Sequence, residues 1–349
     1  MYIIIAIIVF GVLIAIHEFG HFITAKATGV RVDEFAIGMG PAIWKKQKGE
    51  TLYAFRILPI GGYCAMAGED EESDDPRAFT NKGFWPRLLI LCAGSFMNFL
   101  LGVVLVFAMS FIIKGYTLPV VEDFMAGCPY ESQEFLQKGD RFYEIDGERI
   151  RTSNDLSEAL SKGEGIYDFV IVRDGEKLSF NDVELKMQEY EGYEGPKFGF
   201  LFARAEMNFS NRLNYTWNQS REFARWVWIS LGDLVHGKVK LDDMSGPVGI
   251  VDMMNEVGSS AERPIEAVYS MLYLAAFIAI NLAIMNMLPI PALDGGRVFC
   301  MIITVIIEAI TKKKLDPKYE GYINAAGMIL LLGFMFLIMY NDIVKIVVR

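Results

Sequence analysis

In "HEFGH", His17 and His21 are four residues apart, which on a helix puts both imidazoles on one face, where they can grip one metal ion. Glu18 follows His17 at about 100° round the helix, so its carboxylate reaches a water at the metal without occupying a ligand position. This is the spacing of a zinc hydrolase. Zinc in such a site needs a third protein ligand and an open position for water, whose pKa it lowers from about 15.7 to roughly 7. Asp294, in "NMLPIPALDGG", is the candidate. It follows a stretch, Ala267 to Leu293, without a charged residue, and two prolines and two glycines surround it. Pro289 and Pro291 each remove a helix donor, and Gly295 and Gly296 loosen the backbone, so a helix must break here. Broken backbone at membrane depth survives only when buried in protein or lining a polar cavity. A lone membrane histidine more often packs than ligates, and a lone aspartate here would be read as a helix cap at the interface. Two of the chain's three histidines share one motif with a glutamate, in a segment where each polar group carries an insertion penalty, and that favours a metal. His236, beside Gly237 and Lys238, reads as a surface residue.

The elements that must position these groups are apolar. The chain has 349 residues, 53% of them hydrophobic, with a mean hydropathy of +0.30, and its apolar residues fall in blocks. Four stretches are long enough to span a bilayer: Met1 to Lys26, charged only at Glu18 before its final lysine, then Leu88 to Ile113, Ala267 to Leu293 and Gly321 to Asn341. The first has no basic residue ahead of its apolar core and no clear cleavage site, so it reads as a retained transmembrane helix rather than a signal peptide. The segments expected are 1–29 (first span, with HEFGH), 30–66 (membrane-associated β-hairpin region), 67–87 (cytoplasmic loop), 88–114 (second span) and 119–204 (extracytoplasmic domain). Then follow 205–264 (interfacial amphipathic helices and the GPVGI loop), 267–296 (third span, with LDG), 297–320 (cytoplasmic or interfacial) and 321–343 (fourth span). The fold class is an α-helical polytopic membrane protein of about four transmembrane helices with an inserted α+β domain.

Lysines and arginines set the orientation. They crowd the loop after the first span (Arg31, Lys45, Lys46, Lys48, Arg56, Arg77, Lys82, Arg87) and the one after the third (Arg297, Lys312, Lys313, Lys314, Lys318). The positive-inside rule makes both loops cytoplasmic and both termini extracytoplasmic, in a plasma or inner membrane. Residues 119–204 hold 19 acidic and 10 basic side chains, a balance that does not suit nucleic acid or anionic lipid. Within them, Asp146-Gly147 and Asp174-Gly175 signal hairpin turns, and Ser153 is a plausible helix cap. "YTWNQSREFARWVWISLGDLV" reads as an amphipathic helix at the membrane surface, and "SGPVGI" as a Gly/Pro loop. The four cysteines show no CxxC pairing, against a disulfide framework or cysteine-ligated zinc.

"HExxH" in the first span and "NxxPxPxLDG" in the third, matched by Asn286, Pro289, Pro291, Leu293, Asp294 and Gly295, resemble the site-2 protease family of intramembrane zinc metalloproteases. "FAIGMGP", "LPIGGY", "AGSFMN" and "SGPVGI" are similar to its bacterial RseP/RasP branch, so the likeness covers essentially the whole chain. The resemblance implies Zn²⁺ held by His17, His21 and Asp294, with Glu18 as general base. It implies cleavage of transmembrane segments of single-span membrane proteins, such as anti-sigma factors or remnant signal peptides, already trimmed by an upstream site-1 type protease. It also implies that the exterior domain is PDZ-like and restricts access by bulk, with one such domain where some relatives carry two. "MAGCPYESQEF" lacks a Gly-rich carboxylate cradle, which favours exclusion over peptide capture. "VDEFAIGMGPAIWKKQKGETLYAFRILPIGGY" alternates as two strands about Lys48-Gly49, an apolar hairpin whose edge can pair with an unwound substrate. Asn281 and Asn286 can donate to a substrate carbonyl, and Gly94 with Asn98 resembles the family's GxxxN element. For Asn281 and Asn286 interhelical hydrogen bonding, and for Gly94 and Asn98 close helix packing, are the competing roles. Two other functions stay open: a catalytically silent scaffold displaying the PDZ-like domain, and a metal transporter, which needs a polar route that the second and fourth spans lack.

Overall fold

The first helix, α1 (Tyr2–Ala27), runs unbroken through the HEFGH motif, since no proline interrupts it and every residue from Ile3 to Ile16 is apolar or glycine. It belongs to a computed structural model that describes residues 2–69, 73–132, 135–163, 165–239, 244–312 and 318–348. Lys313 and Lys314, used above for orientation, and residues 133–134 of the "MAGCPYESQEF" loop lie outside them. Two units are distinguished, Met1–Met109 with Gln219–Arg349, and Ser110–Asn218.

In the first unit, β1 (Val32–Lys48) and β2 (Thr51–Met66) follow α1 and turn about Gly49, whose φ is 63°. Both strands bend where glycine permits left-handed backbone, at Gly38 and Gly40 (φ 89° and 84°) and at Gly61 (φ 88°). The hairpin thereby folds over itself: Glu34 pairs with both Leu52 and Ala65, and Ile37 with both Phe55 and Gly62. The result is four segments in the order 42–48, 51–56, 32–37, 62–66, and the outer side of 62–66 has no strand partner among the described residues. Alternation in sequence shows the strands but not this doubling. Glu50, at the turn, accepts from Lys26 and Arg77, each at 2.7 Å, and these two cations hold its carboxyl below the usual range. That anchorage is complete near neutral pH and is lost as pH falls through the depressed value. At the bent end Met39, Ile43, Trp44, Phe55, Ile57 and Leu58 are exposed, an apolar surface suited to lipid.

The second helix, α2 (Phe84–Met109), starts four residues before the expected span, with Pro86 in its first turn, where no donor is lost. It crosses α1 closely at Gly20, where a Cβ would stand 2.4 Å from the Ala93 carbonyl oxygen.

The second unit carries β3 (Gly115–Phe124), β4 (Arg141–Ile145), β5 (Glu148–Arg149), α3 (Ser153–Lys162), β6 (Ile166–Arg173), β7 (Glu176–Glu184) and β8 (Phe200–Glu206). The sheet order is β7-β6-β4-β3-β8, with β5 against β4. Asp146 and Gly147 (φ 49° and 79°) and Asp174 and Gly175 (φ 51° and 87°) form the two turns their sequences predict. The cap of α3 is Thr152 rather than Ser153, because Asp155 three residues on reciprocates: Thr152 Oγ1 accepts from Asp155 N and Asp155 Oδ2 from Thr152 N, both at 3.0 Å. Phe142, Ile145, Leu156, Phe169 and Ile171 fill the core.

Five further helices lie among the described residues: α4 (Phe209–Val235), α5 (Pro247–Ser259), α6 (Pro264–Asn286), α7 (Asp294–Thr311) and α8 (Lys318–Val348). Among the described residues, α1, α2, α6 and residues 321–347 of α8 are long and apolar enough to cross a membrane. The expected surface helix α4 leaves Trp217 and Trp228 exposed, but packs Phe223 on Tyr273 and Phe277 of α6, with ring centroids 4.9 and 5.5 Å apart. The third span does not run to residue 296. Pro289 and Pro291 supply no N–H, Ala292 turns with φ 76°, α6 stops at Asn286, and Asp294 opens α7. The segment expected as interfacial is thus helical to Thr311.

"GPVGI", expected as a loop, is the start of α5, with Gly246 as its cap and Pro247 in the first turn. Asp342 of α8, 2% exposed, explains this: its Oδ2 accepts from Gly246 N at 2.9 Å and Gly249 N at 2.8 Å, capping α5 from another helix. Lys345, one turn on, donates to the Met244 carbonyl at 3.0 Å. Asp342→Ala is expected to lower stability by about 2–3 kcal/mol, the cost of two donors left without their charged acceptor. Asp342→Asn, which keeps an acceptor, should lose less; thermal unfolding in detergent measures both.

Candidate metal centre

His17 and His21 project from one face of α1, as their spacing requires, with Nε2 atoms 3.1 Å apart. Asp294, the first residue of α7, brings Oδ2 to 3.2 Å from His17 Nε2 and 3.3 Å from His21 Nε2. The three donor atoms make a nearly equilateral triangle. Ligands about 2.0–2.1 Å from a tetrahedral zinc stand about 3.3 Å from one another, so the triangle has the dimensions of three corners of that tetrahedron. Asp294 Oδ2 is buried and has no hydrogen-bond partner among the described residues, which suits three donors facing one central point. These residues are the one group of three or more histidine, cysteine or acidic side chains with metal-ligand geometry among the described residues.

The neighbouring helix prepares the site. His21 Nδ1 lies 2.8 Å from the Ile90 carbonyl oxygen of α2; a carbonyl can only accept, so the proton sits on Nδ1 and Nε2 keeps a lone pair for a metal. Gly94, one turn along α2, gives the imidazoles room. A Cβ there would stand 2.4 Å from His21 Nε2 and 2.6 and 2.8 Å from His17 Cε1 and Nδ1. Asn98, a further turn along, is 1% exposed and its Oδ1 has no hydrogen-bond partner.

Backbone packing presents Asp294. A Cβ on Gly295 would meet the Met287 carbonyl at 2.3 Å, and one on Gly296 the Ile290 oxygen at 2.1 Å, so only glycine lets the chain from 287 to 291 wrap the first turn of α7. From α8, Gly327 admits Pro291 into contact, and Asn324 Oδ1 accepts from Ala292 N at 3.5 Å.

Glu18 faces the sheet. A Cβ on Gly62 would lie 3.6 Å from Glu18 Cγ and 3.8 Å from Ile14 Cγ2, so the start of the unpaired segment 62–66 lies beside the Glu18 side chain. The asparagines separate. Ile280, next to Asn281, packs on Gly102, two turns of α2, or about 12 Å, from Gly94, and Asn286 is the last residue of α6. His236 is exposed, with Nδ1 2.6 Å from the Gly232 carbonyl. Sequence reading did not reach Gly62 or Gly20; the paired glycines of "LPIGGY" and the glycine inside HEFGH were the available signals.

The sequence pattern described as Peptidase family M50 matches residues 5–334. A protein of Clostridium acetobutylicum carrying a provisional zinc metalloprotease name is 37% identical over 351 residues, covering 98% of this chain and 97% of the relative. Another so named, from Clostridium perfringens, is 35% identical over 347 residues and 99% of both chains. The regulator of sigma-W protease RasP of Bacillus subtilis is 27% identical over 425 aligned residues, 97% of both. With the family pattern spanning nearly the whole sequence, and two imidazoles and a carboxylate converging among helices fit to cross a membrane, this chain belongs to peptidase family M50, the site-2 type of intramembrane zinc metalloprotease.

Proposed function

We propose that the protein cuts peptide bonds within the transmembrane segments of single-span membrane proteins, anti-sigma factors or remnant signal peptides, after an upstream protease has removed their exterior bulk. The observation that carries this is that strand 62–66, unpaired on one side among the described residues, begins at Gly62 beside the Glu18 side chain. A helical segment hides its carbonyls in its own hydrogen bonds, so the substrate must unwind before attack, and an unpaired strand edge offers replacement partners in a medium without water.

His17, His21 and Asp294 would hold the zinc, which would supply the Lewis acidity that activates water and polarises a carbonyl. Glu18 takes the proton from the attacking water and hands it to the leaving amine. Asn98, Asn281 and Asn286 orient the substrate backbone by hydrogen bonding. Both termini and the second unit are extracytoplasmic, with the metal centre towards the cytoplasmic side; the basic loops support this. The second unit is PDZ-like and admits substrates by size. The lipid bilayer surrounds the spanning helices α1, α2, α6 and α8, and nucleic acid is no partner. A donor triangle of zinc dimensions beside an intact Glu18 weighs against a silent scaffold.

The test uses purified protein in liposomes with single-span peptides, with and without a folded exterior domain. Cuts within the span of the short peptides are expected, with the bulky ones at least about 10-fold slower. Removing zinc with a chelator should stop cleavage, and added zinc should restore it. Cleavage insensitive to bulk sinks the size filter, and cuts only outside the span sink the intramembrane reading.

A further inference from the structure

Beyond the metal ligands and Glu18, one ion pair joins the two sides of the site. Glu69 lies three residues past Met66, the end of the free edge strand, and Arg297 lies three residues past Asp294. On a helix, positions three apart share a face, so Asp294 and Arg297 project from the same side of the first turn of α7. Arg297 Nη1 donates to Glu69 Oε1, while Glu69 Oε2 accepts from the Met66 N–H at 3.4 Å. One carboxylate thus links the last residue of the edge strand to the helix that presents Asp294. The pair is sheltered, with the side chains 25% and 18% exposed, and Glu69 is within electrostatic reach of Glu18.

Apolar contacts also join these elements: Val298 and Met301 of α7 belong to a cluster with Cys64 and Met66 of the strand. Such contacts hold surfaces together but are non-directional and resist sliding weakly. An arginine–carboxylate pair, continued by a hydrogen bond to backbone, fixes position along the strand.

We propose that Glu69 and Arg297 are positioning residues that clamp the edge strand in register with Asp294, and so determine which substrate bond is presented for cleavage. This rests on the reading that edge 62–66 receives the unwound substrate. Side chains alternate along a strand, so a slip by one residue inverts every facing, whereas a slip by two restores it. Loosening the clamp should therefore spread cleavage to bonds two residues from the original.

The test compares the full-length wild type with Glu69→Gln, Arg297→Gln and the exchanged pair Glu69→Arg with Arg297→Glu, on a single-span peptide that the wild type cuts at one bond. Cut positions are read by mass spectrometry, alongside kcat, KM and zinc per chain. Each single variant should keep its zinc, lose roughly 10- to 100-fold in kcat with little change in KM, as expected for misplacement by about 1 Å, and show new cuts two residues away. The exchanged pair should regain the single cut. An unchanged cut position in single variants that retain zinc overturns the clamp while leaving the proteolytic reading intact. Loss of zinc or of folded protein in the single variants and the exchanged pair alike assigns the pair to folding and also overturns it. A wild type that cuts no single-span peptide overturns the functional reading and the clamp with it.

Discussion

Glu18→Gln is expected to reduce cleavage by about 10²- to 10⁴-fold, the usual contribution of a general base, while zinc content and thermal stability stay at wild-type values. Glutamine is nearly isosteric, and Glu18 lies outside the donor triangle of His17, His21 and Asp294, so the substitution removes proton transfer and little else. Its neighbour Gly62 is 3.6 Å away when extended by a notional Cβ, leaving room for the amide. Single-turnover cleavage of a span peptide measures the chemical step directly. A variant retaining more than about a tenth of the wild-type rate would remove Glu18 from the proton-transfer role.

Gly94→Ala should strip the site of its metal. The new methyl carbon would stand 2.4 Å from His21 Nε2 and 2.6 Å from His17 Cε1, far inside contact distance, against rings held by α1 and, for His21, by the Ile90 carbonyl. One imidazole must rotate away from the triangle. Disturbing groups behind a ligand typically costs 10- to 100-fold in metal affinity; moving a ligand itself should cost at least about 100-fold, with activity falling in step. Gly102→Ala is the control on the same face of α2. Its methyl would meet Ile280 Cγ1 at 2.5 Å, a side-chain clash of about 1–3 kcal/mol in stability with zinc retained. Zinc per chain after equilibration with a competing chelator separates the two, and equal zinc retention by both variants would contradict the role given to Gly94.

Much of this protein is visible in its amino-acid order because local chemistry suffices there. Helical periodicity alone puts His17 and His21 on one face with Glu18 beside them. Apolar length alone marks the four candidate spans, since a bilayer asks only for about 20 apolar residues. Asp-Gly pairs set two turns because few other residues tolerate their left-handed angles. The prolines around residue 290 mark the helix break for the same local reason, a missing N–H, although its consequence, that Asp294 starts a new helix rather than ending an old one, is not local.

What only the tertiary structure decided is every relation between residues distant in sequence. Asp294 reaches the histidines because the 287–291 backbone wraps two glycines. Gly94 serves the metal site rather than helix packing alone because it faces imidazoles. The β1–β2 hairpin doubles into four segments at Gly38, Gly40 and Gly61, with Gly62 beside Glu18, and Asp342 turns an apparent loop into a capped helix. Residue type and spacing encode what a segment does with its own backbone. They do not encode which distant surface it meets, because that is set by the simultaneous packing of all segments, where a glycine's missing Cβ or a single carboxylate decides between close approach and exclusion.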